Sequence, residues 1–377
     1  MAKRKAYKTY LVKSGEYKGT EHNDLFTTTK NAGKFTIDAK SGNDTITVSS
    51  GKSGSRILVG AGSDTVKVTG GKVGVITLGP GNNTVKVTGG TVGKINAKGT
   101  TTKTKTEIIV SNQKNIKIEQ SGASDTITVN GFHNDLLSKA SRAKILTRGG
   151  TDIITINKGG CNSIQTGSGK DKVTINGGSS YVNTGSGDDI ITVNSKYGNY
   201  IKGGSGRNSI TLGKDARYCV VGPGGAEGET ITVKSKASGK IGNMVKGGNN
   251  ATYNIHYTGQ TIVVDARLGV GDPGKYLNIY ADYSALSSLV YYKKSNVMEI
   301  NGNAHILGFS QLRKINIYTN WGNYKFSPRE VIADATVSDK AFSINNLLKP
   351  YNSIMSLANG IGNLSDKTAK YLGYKGR

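Results

Sequence analysis

Aspartates at the exits of glycine-rich loops are the residues of this sequence best suited to chemistry. In Tyr181–Val193 (YVNTGSGDDIITV), Gly185 and Gly187 precede Asp189, and alternating apolar residues follow it. Glycine allows a positive φ, so several carbonyl oxygens can turn toward one point beside the carboxylate. Calcium takes roughly six to eight oxygen ligands, which one short loop cannot provide but two stacked loops can. The pattern therefore predicts oxygen-rich cation sites.

The same loop recurs along the chain with a period of about 19 residues, which is the signature of a coiled β-solenoid. Each copy has the order strand, tight loop, strand, and a second turn such as Gly70-Gly71 carries glycine without an aspartate. One coil is thus predicted to hold two strands and two turns, with acidic loops along one edge only. The loop residues are Asp24, Asp44, Asp64, Asn83, Asp125, Asp152, Asp171, Asp189, Asn208 and Glu229.

The strands after these loops alternate between apolar and polar residues. In Thr45-Ile46-Thr47-Val48, a period of two turns Ile46 and Val48 inward and Thr47 outward. The outward threonines are interpreted as a structural ladder, because β-branched side chains pack well on a pleated surface. Lys67 and Lys86 occupy the same outward position in consecutive coils.

Composition agrees with a solenoid. The 377 residues include 53 glycines and 5 prolines, and only 7% are aromatic, which suits a thin ladder of aliphatic side chains. A formal net charge of +25 favours anionic partners without naming one. No apolar run is long enough for a membrane span, and the first residues lack the features of a classical signal peptide. Cys161 and Cys219 are expected to be unpaired, since they fall three coils apart.

The best copies match the nonapeptide Gly-Gly-x-Gly-x-Asp-x-apolar-x, and over roughly 19–233 the chain resembles the RTX (repeats-in-toxin, haemolysin-type) calcium-binding β-roll. The resemblance implies an all-β parallel roll with calcium between neighbouring loops. It also implies that loop aspartates and glycine carbonyls are the ligands. The residues carried over are Gly42, Asp44, Gly60, Gly62, Asp64, Asp125, Asp152, Gly167, Gly169, Asp171, Gly185, Gly187 and Asp189.

Two departures from that family leave an alternative open. RTX rolls are usually acidic on both edges, whereas here one edge has no carboxylates and lysines surround the other. Asn208 also keeps the glycines of its loop but loses the charge. The alternative is a degenerate roll in which the aspartates only cap turns through side-chain hydrogen bonds to the backbone.

The predicted organisation has four parts. Residues 1–18 form an N-terminal cap, 19–233 form the roll with an insertion at 131–143, and 234–335 form a flanking β region. Helical spacing in 336–377 predicts a helical tail, and the resemblance implies that this tail could hold a secretion signal read by a type I exporter.

Catalytic motifs are missing from the sequence. It contains neither Gly-x-Ser-x-Gly nor HExxH, and its four histidines have no zinc spacing. We therefore expect a secreted or cell-surface, non-enzymatic repeat protein that is structural or adhesin-like. The alternative is a polysaccharide-active solenoid enzyme or its carbohydrate-binding module. Lys67 and Lys86 are the candidate contacts for a polyanion such as an acidic polysaccharide or a cell-envelope polymer, and nucleic acid is disfavoured because no aromatic platform accompanies them.

Overall fold

The computed structural model divides the chain into two units, Met1–Lys172 and Val173–Arg377, which are described separately. The residues that it describes are 8–97, 105–111, 113, 116–120, 124–130, 143–158, 161–222, 228–237, 242–269, 272, 274–282, 288–320 and 322–359. The predicted insertion at 131–143 lies outside these ranges except for Ala143, and so do the end of the predicted tail and Trp321.

The first unit is a parallel β-solenoid of two sheets. Odd-numbered strands form sheet A and even-numbered strands form sheet B, so the chain alternates between the sheets as it coils. The strands are β1 (Lys8–Val12), β2 (Gly15–Lys18), β3 (Asp24–Thr28), β4 (Phe35–Asp38), β5 (Thr45–Val48), β6 (Arg56–Leu58), β7 (Thr65–Val68), β8 (Lys72–Leu78), β9 (Asn83–Val87), β10 (Thr91–Ala97), β11 (Lys105–Val110), β12 (Ile116–Glu119), β13 (Ser124–Asn130), β14 (Ala143–Leu146), β15 (Ile153–Lys158) and β16 (Cys161–Ser168).

Stacked aliphatic columns form the core of this unit. In β5, Ile46 and Val48 are fully buried and Thr47 faces outward, as the period of two predicts. Register keeps equivalent residues in line, because Ile46 pairs with Val66 and Val66 with Val85. Sheet B supplies an isoleucine from each of seven consecutive coils, and these side chains are at most 1% exposed: Ile37, Ile57, Ile76, Ile95, Ile118, Ile145 and Ile164.

The second unit repeats the two-sheet arrangement, and its parallel pairing continues past Val233 as far as β31. Strands β28, β29 and β32 are antiparallel additions, and two helices follow. The elements are β17 (Lys172–Ile175), β18 (Ser179–Ser186), β19 (Ile190–Val193), β20 (Tyr200–Lys202), β21 (Ser209–Leu212), β22 (Val220–Val221), β23 (Thr230–Val233), β24 (Asn243–Val245), β25 (Thr252–His256), β26 (Ile262–Asp265), β27 (Tyr276–Tyr280), β28 (Leu289–Tyr292), β29 (Val297–Ile300), β30 (Ala304–Leu307), β31 (Lys314–Thr319), β32 (Gly322–Phe326), α1 (Pro328–Asp334), β33 (Thr336–Ser338) and α2 (Ile344–Asn359).

Polar ladders run along the outer face of β25, β27 and β31. Asn278 donates to the Asn254 side chain and accepts from Asn316, each at 2.7 Å. One column further, the ring of Tyr280 stacks between His256 and Tyr318, with centroids 4.7 and 4.6 Å away. Both faces of the Tyr280 ring are therefore covered by side chains of the two neighbouring strands.

The predicted all-β parallel solenoid with a helical C-terminal segment is confirmed. Cys219 is buried and unpaired, and its pKa is raised to about 12 by burial, so it is a protonated core thiol. The side chain of Cys161 lies outside the described set. Among the described residues, no helix combines the length and the hydrophobicity of a membrane-spanning segment.

Candidate cation site in the loop ladder

The loop residues of the first unit form one inward-facing column, here called the loop ladder. Each member lies within one residue of the start of a sheet A strand, and each is at most 2% exposed. Pairing of the flanking strands places successive members on successive rungs, about 4.8 Å apart. The ladder comprises Asp24, Asp44, Asp64, Asn83, Thr106, Asp125, Asp152 and Asp171.

One carboxylate oxygen of most ladder aspartates is used to bond adjacent rungs. The N–H of Asp24 donates to Oδ1 of Asp44 (2.7 Å), and the N–H of Asp44 donates to Oδ1 of Asp64 (2.8 Å). The N–H of Asp64 donates in turn to Oδ1 of Asn83 at 3.0 Å. The side chains thus satisfy backbone donors of the neighbouring coil that would otherwise be buried without a partner. These bonds join coils, whereas the alternative considered above has each aspartate capping its own turn.

The side chain of Asn83 shows which groups surround the second polar atom of a loop-ladder side chain, the one that does not bond the adjacent rung. Its Nδ2 donates to the carbonyl of Gly79 at 2.9 Å and to that of Gly81 at 3.2 Å. Asn208 in the second unit likewise donates to the Gly204 carbonyl, at 3.4 Å. The loop therefore presents carbonyl oxygens to this position, and an amide nitrogen is a suitable partner for them.

An aspartate at the same position presents an oxygen instead of a donor. Oδ2 of Asp44 and Oδ2 of Asp64 are buried and have no hydrogen-bond partner among the described groups. Burial raises the pKa of Asp44 to about 6 and that of Asp64 to about 7. A buried carboxylate oxygen without a hydrogen-bond partner needs a proton or a cation, since an unsatisfied buried charge is costly.

Only some of the other rungs are compensated within the protein. Asp24 receives the Thr20 N–H at 2.5 Å on Oδ2. The Thr166 side chain opposes the rise in the pKa of Asp171. The Thr147 hydroxyl instead donates to the Thr166 carbonyl at 3.1 Å, and Oδ2 of Asp152 has no hydrogen-bond partner among the described groups. In the coils of Asp44 and Asp64 the position five residues earlier is apolar, Ala39 and Val59. Asp125 and Asp152 also keep unpartnered buried oxygens, but Ala123 and the shifted Gly149-Gly150 break the glycine spacing of their loops. The loops of Asp44 and Asp64 keep their glycines, so these two aspartates are the candidate cation site.

The fit of a calcium ion depends on backbone oxygens as much as on side chains. Among the described residues, no three side chains of His, Cys, Asp or Glu converge on one point. Adjacent loops are also joined by backbone bonds, since Ala61 N–H donates to Lys40 O and Gly42 N–H donates to Ala61 O, both at 3.0 Å. A cation would therefore be held by the carboxylates of Asp44 and Asp64 with carbonyls of the same loops, an all-oxygen set of the kind calcium prefers.

The remaining predicted ligands fall into two groups. Asp125, Asp152 and Asp171 occupy consecutive rungs of the first unit, joined by N–H to Oδ1 bonds of 2.8 and 2.9 Å. Asp189 belongs to the second unit, where its N–H donates to Oδ1 of Asn208 at 3.0 Å. The loop glycines have positive φ throughout, which is the backbone that the repeat predicts: Gly42, Gly60, Gly62, Gly167, Gly169, Gly185 and Gly187.

In the second unit, a lysine side chain occupies the position that is equivalent to the loop ladder of the first unit. The sequence analysis did not predict it. Register places Glu229, Ala251 and Lys275 on successive rungs. Lys275 is 2% exposed, donates to the Arg267 carbonyl at 2.8 Å, and lies 3.5 Å from Asp272. The available signal was that Lys275 immediately precedes an alternating strand, as the aspartates do.

The buried carboxyl group of Glu229 predicts how the free energy of unfolding depends on pH. Its Oε2 accepts the Gly248 N–H at 3.1 Å, and burial raises its pKa from 4.5 to about 7. The folded state therefore keeps a proton that the unfolded state releases, so this contribution to the free energy of unfolding falls as pH rises from about 4.5 to 7, by at most about 1.4 kcal/mol per unit.

The matching variant is Glu229→Gln, measured by chemical denaturation against wild type at pH 5, 6, 7 and 8. We expect the stability difference to shift in favour of the variant up to about pH 7 and then to level off. A difference that stays constant with pH would contradict a raised pKa for Glu229.

Lys67 and Lys86 pair in register on the outer face of sheet A, and both are exposed, as predicted. The next rungs of that column carry Ile109 and Thr128. The basic run on this face is therefore two residues long.

Comparison with known proteins adds no assignment: no protein-family model, no curated protein and no solved structure gives a significant match to the chain.

Proposed function

We propose that the chain is a non-enzymatic repeat scaffold, secreted or displayed at a cell surface, whose loop ladder is stabilised by calcium. The observation that supports it is the unpartnered buried Oδ2 of Asp44 and of Asp64, at a position where Asn83 donates to loop carbonyls. The protein supplies carboxylate and carbonyl oxygens there, and the ion would supply the positive charge that this oxygen set lacks.

A site outside the cell suits this chemistry. One or two carboxylates with neutral carbonyls form a ligand set of low charge, and such sites bind calcium with dissociation constants of about 0.1–1 mM, as extracellular modules do. The free energy gained is modest per site, because ligand binding stabilises only as the logarithm of the ligand concentration over the dissociation constant. Calcium would then act as a structural support for the coils.

The carbohydrate-binding alternative has one observation in its favour, the asparagine and aromatic ladders of the second unit. A sugar ring stacks on the face of an aromatic ring, but both faces of Tyr280 are covered by His256 and Tyr318. The asparagine amides are likewise engaged with each other. These ladders are better explained as bonds between rungs than as a sugar-binding surface.

The calcium proposal is tested by thermal unfolding of wild type and Asp64→Asn at pH 7.5, in a chelator and in 5 mM calcium. We expect calcium to raise the wild-type melting temperature by several degrees. In chelator, Asp64→Asn should melt above wild type, because an amide at this rung can donate to the loop as Asn83 does. Its gain from calcium should be smaller than that of wild type.

Two further variants complete the design. Asn83→Asp places a carboxylate on a neutral rung and is expected to lower stability in chelator and increase the response to calcium. Asp188→Asn, at an exposed loop position, is the control for the loss of one negative charge. If calcium leaves the wild-type melting temperature unchanged while Asp64→Asn is still stabilising, the rung holds a proton and the calcium proposal is wrong.

A further inference from the structure

The edge of the first unit opposite the loop ladder carries a cluster of exposed lysines, here called the lysine edge. Four consecutive coils turn there, through the segments 13–14, 29–34, 49–55 and 69–72. These segments contain no acidic residue, and the structure gives none of their lysines an ion pair with a described acidic group. The lysine edge consists of Lys13, Lys30, Lys34, Lys52 and Lys72.

Backbone bonds align three of these lysines. The Lys52 N–H donates to Gly33 O at 3.3 Å and the Lys72 N–H donates to Gly51 O at 2.9 Å, so Lys34, Lys52 and Lys72 occupy the same position in successive coils. Adjacent charges along the row are therefore about 4.8 Å apart at the backbone. Like charges at this spacing repel, so the row gains from a partner that supplies negative charge along the same line.

The turns hold this row in a fixed backbone conformation. The fully buried Ser55 hydroxyl donates to the Lys52 carbonyl at 2.7 Å, and the Ser55 N–H donates to the same oxygen at 3.1 Å. At Gly54, with φ 86°, an added Cβ would lie 3.2 Å from Cε of Lys34, so the lysine stem lies across this glycine. A preorganised row of cations loses less conformational entropy on binding than a flexible basic tail.

From this charge row we infer that the lysine edge is a binding site for a linear acidic polysaccharide, running along the axis of the coils. The site is one residue wide and carries point charges, and the aromatic side chain bonded to it, Tyr17, meets the N–H of Lys13 at one end only. None of the exposed large apolar side chains lies in the four turn segments, so an anchor for a lipid surface is missing. The segments contain no aromatic residue on which nucleic-acid bases could stack.

This inference does not depend on calcium, and its test uses the full chain in both calcium and chelator. Binding of heparin and of polygalacturonate is measured by calorimetry at several salt concentrations. The test variant is the triple Lys34→Gln, Lys52→Gln, Lys72→Gln. The matched control also removes three positive charges from exposed positions of the same unit, as Lys67→Gln, Lys86→Gln, Lys144→Gln.

We expect the lysine-edge triple to weaken polysaccharide binding at least tenfold and to reduce its dependence on salt, while the control triple loses less than threefold. Melting temperatures of both triples identify any loss caused by unfolding. Equal losses in the two triples would overturn the inference, because attraction would then follow net charge alone. Tighter binding of duplex DNA or of phosphatidylserine vesicles than of either polysaccharide, at the same ionic strength, would overturn the assigned partner class.

Discussion

Replacing Gly60 with alanine is expected to unfold much of the first unit, at a cost of at least about 4 kcal/mol. Gly60 has φ 84°, and a Cβ built on it would lie 1.4 Å from the carbonyl oxygen of Lys40 in the neighbouring loop. That oxygen already accepts the Ala61 N–H, so it cannot move away without breaking a bond between coils. Chemical denaturation followed by far-ultraviolet circular dichroism measures the loss.

Gly15→Ala separates backbone strain from the steric clash. Gly15 lies in the same unit with φ 91°, but nothing lies within 4 Å of a Cβ added there. The control should therefore lose only about 1–2 kcal/mol, the cost of a left-handed alanine. If both variants lose the same amount, close stacking of the loops is not what requires glycine at position 60.

Lys275→Met is the second substitution with a large expected effect, about 3–5 kcal/mol of destabilisation. The side chains of Lys275 and Asp272 are at most 3% exposed, so methionine removes one partner of a buried ion pair and leaves the Asp272 carboxylate with only the N–H groups of Asn250 and Gly274. The hydrogen bond from Lys275 to the Arg267 carbonyl is lost as well. The measurement is the denaturation midpoint of the second unit.

Lys246→Met provides the matched comparison. Lys246 lies 3.3 Å from Asp265, its side chain is 35% exposed, and Asp265 keeps a bidentate bond from Arg267 at 2.8 and 2.7 Å. Removal of this partly solvated charge should cost no more than about 1 kcal/mol. A Lys275→Met variant that is no less stable than Lys246→Met would show that the buried pair contributes little.

The architecture could be predicted because its determinants are local and periodic. A segment such as Thr45–Val48 specifies both the strand and the side of the sheet that each residue faces, and the structure confirms the outward positions of Lys67 and Lys86. The glycines before Asp64 likewise predicted the positive φ of the loop. These features depend on neighbouring residues alone.

What could not be predicted depends on the orientation of loop peptides and on register between coils. The sequence does not tell whether a peptide turns its carbonyl toward a rung, as at Gly79, or its N–H, as at Thr20. Lys275 occupies the ladder position although the glycine-Asp pattern has faded by Lys234. The lysine edge was missed because its turns differ in length, so that Lys34, Lys52 and Lys72 align only once the backbone bonds are known.

Asn83 and Thr106 separate the aspartates of the first unit into two sets of three, and this has a consequence for cooperativity. Asp64 and Asp125 are three rungs apart, about 14 Å, against about 4.8 Å between adjacent rungs, so charges couple more weakly between the two sets than within one set. Loading one set with cations or protons should then change the affinity of the other set less than the affinities within the loaded set, so a titration of the whole unit should show two weakly coupled steps. Asn83→Asp would leave Thr106 as the one neutral ladder residue between the two sets, and the two titration steps should begin to merge.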